Sequence, residues 1–124
     1  MSASAGGPRE RFLYKSGSYT ATQHTPRPGT DDEPGGGLSF WNSIDHPMIK
    51  SGHVIELDLD LLPSPLTVIP DDQPPGHRLV RPAGPSFIAD PLLKEWAVTR
   101  PHAEASPHAL TIALLAATNP VRKR

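Results

Sequence analysis

The sequence has no cysteine among its 124 residues. It therefore has no disulfide framework, no thiolate nucleophile and no zinc site built on cysteine. It also lacks a long apolar run: the stretch from Ala109 to Ala117 is interrupted by Thr111 and is about half the length of a membrane-spanning helix. The first residues lack the apolar core of a secretory signal peptide. These absences suit a protein of a reducing compartment such as the cytoplasm, without a membrane anchor.

The charge is nearly balanced, with 12 basic and 13 acidic side chains and a formal net charge of −1. A protein that binds nucleic acid mainly through phosphate contacts carries a clear excess of positive charge, so no nucleic-acid partner is expected. The one basic cluster, Arg122–Arg124, stands at the end of the chain. We interpret it as a solvated terminus.

Proline and glycine are abundant, at 16 and 10 residues, which argues against an all-helical bundle. The content of large aliphatic residues is nevertheless high enough for a buried core, and the length fits one domain. We therefore expect a disordered leader over residues 1–10 and a single domain over residues 11–124.

Strand candidates dominate the first two-thirds of the chain and helix candidates the last third. The strand candidates are short apolar segments bounded by turn residues, at 11–15, 38–41, 53–58, 66–69 and 77–81. Helix starts are indicated by Asp90–Pro91 and by Ser106–Pro107, where an N-cap residue precedes a proline. Asn119–Pro120 is expected to end the second helix. The sequence therefore predicts an α+β fold.

The segment from Ser16 to Gly37 is polar and almost without apolar anchors. Connections of this length are uncommon in small domains and tend to be functional or disordered. Within it, Arg27 lies between Pro26 and Pro28, which presents its guanidinium from a stiff backbone. A guanidinium binds phosphate groups bidentately, so Arg27 is a candidate for holding a pyrophosphate.

The aromatic strand 38–41 offers two ring faces, those of Phe40 and Trp41, for a flat or positively charged heterocycle. Ser39 in the same strand lacks the G-x-S-x-G elbow of serine hydrolases, so acyl transfer is not expected. The six histidines are scattered over loops and strand ends without the spacing of a zinc site, and no metal is expected.

Five segments in order carry a resemblance to a known family. They are Leu13–Lys15, Thr25–Pro28, Gly37–Phe40, Leu66–Asp71 and Gly76–Pro82. Their succession resembles the small Tse-type toxins of bacterial type VI secretion, which have a tyrosine-basic opening strand, a mid-chain arginine, a Gly-aliphatic-Ser-aromatic strand and a late Gly-His strand ending in proline. The similarity spans about Phe12 to Pro82.

The resemblance implies an ADP-ribosyltransferase-like fold, in which a split antiparallel β-sheet clasps a cleft and the C-terminal helices lie outside. It further implies a cytotoxin delivered to the cytoplasm of a target cell, with NAD as substrate, a macromolecular acceptor and a dedicated immunity protein as partners. The matching positions assign catalytic roles to Arg27, Ser39 and His77. The residues assigned to NAD binding are Lys15, Tyr14, Phe40 and Trp41.

The resemblance assigns no glutamate of this sequence as the catalytic carboxylate. Cleavage of the nicotinamide bond passes through an oxocarbenium-like state that a glutamate commonly stabilises. Glu56, Glu95 and Glu104 are present, but none stands in a Glu-x-Glu context. A non-catalytic binding module or contact-acting toxin, with the apolar stretch around Leu110–Ala117 as its interface, is therefore the alternative. A fragment of a larger polymorphic toxin is a third possibility.

Overall fold

The computed structural model describes residues 10–124 and shows an antiparallel sheet of six strands with two α-helices. The predicted α+β class is confirmed. The predicted leader lies outside the described residues except for Glu10, whose carboxylate accepts hydrogen bonds from Arg78. The strands are β1 (Phe12–Ser16), β2 (Leu38–Trp41), β3 (Gly52–Asp58), β4 (Leu66–Ile69), β5 (His77–Pro82) and β6 (Thr118–Lys123), and the helices are α1 (Ser86–Val98) and α2 (Ala109–Ala116).

The strand order across the sheet is β4-β5-β2-β1-β3-β6, with every neighbouring pair antiparallel. The central junction is narrow, because β1 and β2 are paired through Tyr14 and Trp41 alone. By contrast, β1 pairs with β3 along its whole length, and β2 with β5. The sheet therefore consists of two three-stranded halves that meet at one residue pair.

The core lies between one face of this sheet and the two helices. Alternation along the strands turns Leu13, Phe40 and Ile55 to this face, where each is at most 1% exposed. From the helices, Trp96 and Leu114 pack against them with no exposed surface. Each such side chain contributes roughly 1.5–3 kcal/mol by leaving water. The stretch Leu110–Ala117 was open to two interpretations, core or interface, and its residues Leu110, Leu114 and Ala117 belong to the core.

The C-terminal segment is an ordered strand, in which Arg122 is exposed, as is Arg124 after it, in keeping with the expected solvated terminus. Thr118–Lys123 forms β6, which pairs with the whole of β3 at the edge of the sheet. Pro120 fits there because an edge strand has one side free of ladder hydrogen bonds. The sequence missed this strand because Asn119–Pro120 looked like a helix end followed by charged residues.

Both helix starts also differ from the predicted positions. α1 begins at Ser86, after Pro85, so Pro91 lies inside the helix. Asp90 is no N-cap but accepts a hydrogen bond from the Arg81 guanidinium. α2 is capped by His108, whose Nδ1 accepts from the amide of Leu110. No helix within residues 10–124 is long and apolar enough to cross a membrane.

The polar segment 16–37 is fixed to the helices by buried hydrogen bonds. Trp96 Nε1 of α1 donates to Thr111 Oγ1 of α2 at 2.8 Å, and this hydroxyl lies 2.7 Å from Thr25 Oγ1. Thr25 in turn donates to the carbonyl of Ala21 at 2.9 Å. His24 is also fully buried, between the Thr20 carbonyl and the Thr118 hydroxyl. The segment is therefore ordered by polar anchors that hydrophobic patterning does not reveal.

Candidate functional site

A row of polar and aromatic residues crosses the sheet face opposite to α1 and α2. The strand register places Glu56 beside Tyr14, Tyr14 beside Trp41, and Trp41 beside His77. Successive members of the row therefore come from β3, β1, β2 and β5 and cross the narrow junction of the sheet. This face is the candidate site because it carries these polar groups and because neither α1 nor α2 packs on it.

Three side chains at the β5 end of the row form a hydrogen-bonded chain. His77 Nε2 lies 3.0 Å from Ser39 Oγ, and His77 Nδ1 lies 2.6 Å from Asp71 Oδ1. A carboxylate only accepts at neutral pH, so Nδ1 carries the proton and donates to Asp71. Nε2 then accepts the proton of the Ser39 hydroxyl. The arrangement is that of a hydroxyl, a base and an orienting carboxylate.

The chain is accessible from solvent while its imidazole is mostly enclosed. The His77 side chain is 12% exposed and that of Asp71 is 32% exposed. The pairing of β2 with β5 places Ser39 opposite Leu79, and this fixed backbone determines the position of Ser39 Oγ on the sheet face. These groups can activate a hydroxyl or a water molecule by general-base catalysis.

The Trp41 ring is enclosed by two imidazoles. His46 stacks on it at 4.3 Å between ring centroids, with 26° between the planes, and His77 lies at 4.8 Å with a tilt of 49°. Trp41 as a whole is only 9% exposed. Trp41 therefore supports His77, and a heterocycle would have to displace His46 to stack on it.

Phe40, which was expected to contact a ligand, points into the core. Phe40 is 1% exposed and packs in the core cluster, because neighbours in a strand point to opposite faces and Trp41 takes the site face. The same alternation separates the other two predicted NAD contacts. Tyr14 lies on the site face, whereas Lys15 lies on the face of the core with Leu13.

Arg27 is hydrogen-bonded to Asp31 and not to Ser39 or His77, the other two predicted catalytic residues. Its guanidinium donates to Asp31 at 3.2 and 3.0 Å, and its charge, with that of Arg100, acts on Lys15. Burial lowers the pKa of Lys15, the charge of Asp31 opposes this shift, and the charges of Arg100 and Arg27 add to it. The structure therefore joins Ser39 to His77, whereas Arg27 is bonded to Asp31.

A cavity of about 280 Å³ opens where the start of β1 separates from the end of β2. It is next to Tyr14, whose pKa is raised first by burial and then by the negative charge of Glu56. The cavity adjoins the row of site residues but does not include Ser39 or His77 in its wall. Its lining residues are Glu10, Arg11, Phe12, Tyr14, Asn42, Ser43 and Ile44.

Of the three glutamates considered, Glu56 alone lies in the row. Glu95 bonds His108 at 2.7 Å, and Glu104 accepts from the amides of Ala21 and Thr22 and from the Thr22 hydroxyl. Glu56 is three interstrand steps from His77, roughly 14 Å at about 4.8 Å per step. Glu56 therefore does not belong to the hydrogen-bonded chain of Asp71, His77 and Ser39.

Sequence reasoning missed Asp71 as a site residue. A signal for it exists: β4 and β5 form an antiparallel pair with Ile69 opposite Leu79. Continuing this register by two residues brings Asp71 opposite His77, so a hairpin reading of 66–82 would have predicted the contact. Within residues 10–124 no group of three or more histidine, cysteine or acidic side chains could hold a metal ion.

Comparison of the chain with models of known protein families, with curated proteins and with solved structures finds no match.

Proposed function

We propose that this chain is an ADP-ribosyltransferase-like toxin domain that binds NAD and cleaves its nicotinamide–ribose bond. The observation that carries the proposal is the chain Asp71–His77–Ser39, which joins two of the residues that the family resemblance marks as catalytic. The ADP-ribose passes to a macromolecular acceptor or to water in the target-cell cytoplasm. A dedicated immunity protein that covers the site is the proposed neutralising partner.

The architecture of the sheet supports this proposal. Two three-stranded halves meet at the pair Tyr14–Trp41, and a cavity opens beside that pair. The family resemblance implies a split sheet that clasps its ligand at the split. A narrow junction flanked by a cavity is compatible with that arrangement.

The bonds exchanged in the reaction suit the groups present. The C1′–N bond of the nicotinamide ribose breaks and nicotinamide leaves with the bonding electron pair, which gives an oxocarbenium-like state. The acceptor oxygen then forms the new C1′–O bond. His77 Nε2 takes the acceptor's proton, Asp71 stabilises the imidazolium that results, and the Ser39 hydroxyl hydrogen-bonds the ribose or the carboxamide.

The test is release of nicotinamide and transfer of label from adenine-labelled NAD in the presence of cell lysate. We expect His77→Ala to lower the rate by about 10²–10⁴, the usual contribution of a general base, and Ser39→Ala to lower it through the lost hydrogen bond to the substrate. Ser18→Ala and His53→Ala are matched controls outside the site and should leave it unchanged. If the wild-type protein neither binds NAD nor releases nicotinamide, the proposal is refuted.

A second experiment separates NAD chemistry from acyl transfer. A fluorophosphonate probe reacts with an activated serine and should label Ser39 only if its hydroxyl acts as a nucleophile. Labelling that is lost in Ser39→Ala, together with inert NAD, would assign the chain of three side chains to ester or amide hydrolysis instead.

A contact-acting binding module is the second candidate, favoured by an exposed apolar stripe on α1. Phe87 is 80% and Val98 65% exposed, and their spacing of 11 residues puts both on one side of the helix. Growth arrest in bacteria that survives Ser39→Ala but is lost in Phe87→Ser and Val98→Ser would favour this candidate. The reverse pattern would favour the catalytic site.

A further inference from the structure

The loop that follows β2 packs against the turn between β4 and β5, and His46 lies where the two meet. Its Nε2 is 2.8 Å from the carbonyl oxygen of Pro75, and its Nδ1 is 3.1 Å from the amide nitrogen of Met48. A carbonyl oxygen only accepts, so Nε2 carries the proton and donates to Pro75, while Nδ1 accepts from the Met48 amide. Both nitrogens of this imidazole are therefore used, and its orientation is fixed.

The face of the same imidazole is stacked on Trp41. The two ring centroids are 4.3 Å apart with 26° between the planes, and the Trp41 ring in turn lies 4.8 Å from that of His77. Because Trp41 is only 9% exposed, its ring has little room to move while His46 covers it. His77 is therefore supported on one side by a ring that His46 holds in place.

Gly76, the residue before His77, shows how closely the loop and the turn fit together. A Cβ on Gly76 would lie 2.7 Å from Asn42 Oδ1 and 3.0 Å from His46 Cδ2, and its φ of +90° favours glycine. The carbonyl of Gly76 also accepts from the Asn42 amide at 3.0 Å. Pro75 and Gly76, the two residues before His77, are thus both hydrogen-bonded to the loop.

The same turn determines where the carboxylate of Asp71 lies. The amide of Asp72 donates to the carbonyl of His77 at 3.3 Å, and the amide of His77 donates to the carbonyl of Pro74 at 3.0 Å. These two bonds close the turn between Asp71 and His77, whose side chains meet at 2.6 Å. A shift of the turn at Pro75 would therefore change the distance between the Asp71 carboxylate and His77 Nδ1.

The bond between Asp71 and His77 needs this support because water reaches it. The side chain of Asp71 is 32% exposed and that of His77 is 12% exposed, so water competes for the carboxylate. A neutral imidazole has two tautomers, and the partner of one nitrogen decides which of them is present. Only the tautomer with its proton on Nδ1 leaves Nε2 free to act as a base beside Ser39.

We propose that His46 is a positioning residue that keeps the His77 ring in the tautomer and orientation that the Asp71–His77–Ser39 chain requires. It acts through two contacts, the hydrogen bond to Pro75 and the stack on Trp41. The effect of His46 on catalysis rests on the proposed function. Its effect on the His77 ring does not, and is measured without NAD.

Nitrogen-15 NMR of the histidine side chains of the full chain tests the proposal at about pH 8, where histidine is neutral. His77→Ala identifies the signals of His77. In the wild type we expect the proton on Nδ1 and slow exchange of this proton with water. In His46→Ala we expect a mixture of tautomers and exchange that is about tenfold faster or more, because the bond to Asp71 opens more often.

Two further variants separate the two contacts of His46. His46→Gln keeps a donor for the Pro75 carbonyl and removes the stacked ring, whereas His46→Phe keeps a ring on Trp41 and removes both hydrogen bonds. Each should give exchange rates between those of the wild type and His46→Ala, and they replace that variant if circular dichroism shows that it is unfolded. His53→Ala removes an exposed histidine of β3 and is the matched control.

Nicotinamide release gives the second readout. His46→Ala should lower kcat by about 10- to 100-fold and leave KM for NAD unchanged, because a misplaced base costs rate without loss of substrate contacts. If the wild type does not cleave NAD but the His46 variants change the His77 tautomer, the proposed function fails and the positioning role stands.

A purely structural role of His46 predicts a different result. The variants would then have a lower Tm, but the His77 tautomer and its proton exchange would be those of the wild type, and this outcome overturns the proposal. A wild-type protein with the His77 proton on Nε2 overturns it as well.

Discussion

Replacing Thr111 by valine should be among the most damaging conservative substitutions in this protein. Thr111 is fully buried, and its hydroxyl accepts from Trp96 Nε1 and lies 2.7 Å from Thr25 Oγ1. Valine has almost the same shape but neither accepts nor donates. The substitution therefore leaves the packing nearly intact and removes only the polar link between α1, α2 and the segment 16–37.

The expected magnitude follows from the groups left behind. The indole N–H of Trp96, which has no exposed surface, loses its acceptor, and a buried unsatisfied donor costs about 1–3 kcal/mol. The carbonyl of His24 also loses the hydrogen bond of 3.2 Å that Thr111 Oγ1 donates to it. Thr25 keeps its bond to Ala21. We expect Thr111→Val to lower the free energy of unfolding by about 2–4 kcal/mol and the Tm by roughly 10 °C.

Urea denaturation and thermal unfolding measure this change. The control is Thr67→Val on β4, because the Thr67 side chain makes no hydrogen bond within residues 10–124. In a Trp96→Phe background the donor is already absent, so Thr111→Val should cost at least about 1 kcal/mol less. A loss below about 0.5 kcal/mol in the wild-type background, or strict additivity of the two substitutions, would refute the reasoning.

Three other predictions concern pH and backbone contact. Burial lowers the pKa of His24, so the protein should lose stability as the pH falls below about 6.5, and His24→Gln should flatten this dependence. The hydrogen bonds from Thr22 and the Ala21 amide lower the pKa of Glu104, so Glu104→Gln should remove part of the stability that the wild type loses as the pH falls below about 4.3. Gly37→Ala should cost about 1–3 kcal/mol, because its Cβ would lie 2.6 Å from the carbonyl oxygen of Val80.

Unfolding monitored by circular dichroism at several pH values and in urea tests all three. His53→Gln, at an exposed position, should keep the wild-type slope between pH 7 and pH 5. An unchanged slope in His24→Gln, an unchanged acid limb in Glu104→Gln, or a stable Gly37→Ala variant would each contradict the corresponding reasoning.

Five of the six strands and both helices were predictable because their signals are local. Residues 38–41 and 66–69 were predicted as strands with the bounds that the structure shows. The helix starts were misplaced because a proline after an aspartate is compatible both with an N-cap and with an interior position after the first turn. β6 was missed because its apolar content is low, and it is a strand only because β3 offers a free edge to pair with.

The candidate site was predictable in part. Ser39 and His77 were identified from the family resemblance, and the structure places them in hydrogen-bond contact. Arg27 did not join them, since the identity of a residue in a long loop says nothing of which face of a sheet the loop crosses. Predicting Asp71 as a site residue required the register of the β4–β5 hairpin. Predicting that Phe40 points into the core required knowing which residues of β2 face the helices.

The amino-acid sequence by itself determined which segments extend and which coil, because hydrophobic period, proline and glycine act over a few residues. Only the tertiary structure decided which polar groups meet. The pairing of β2 with β5 brings Ser39 to His77 across 38 positions of sequence, and the docking of α2 on α1 gives Trp96 an acceptor for its indole. Such contacts depend on strand order and register, which are set when the whole core is buried and not by any one segment.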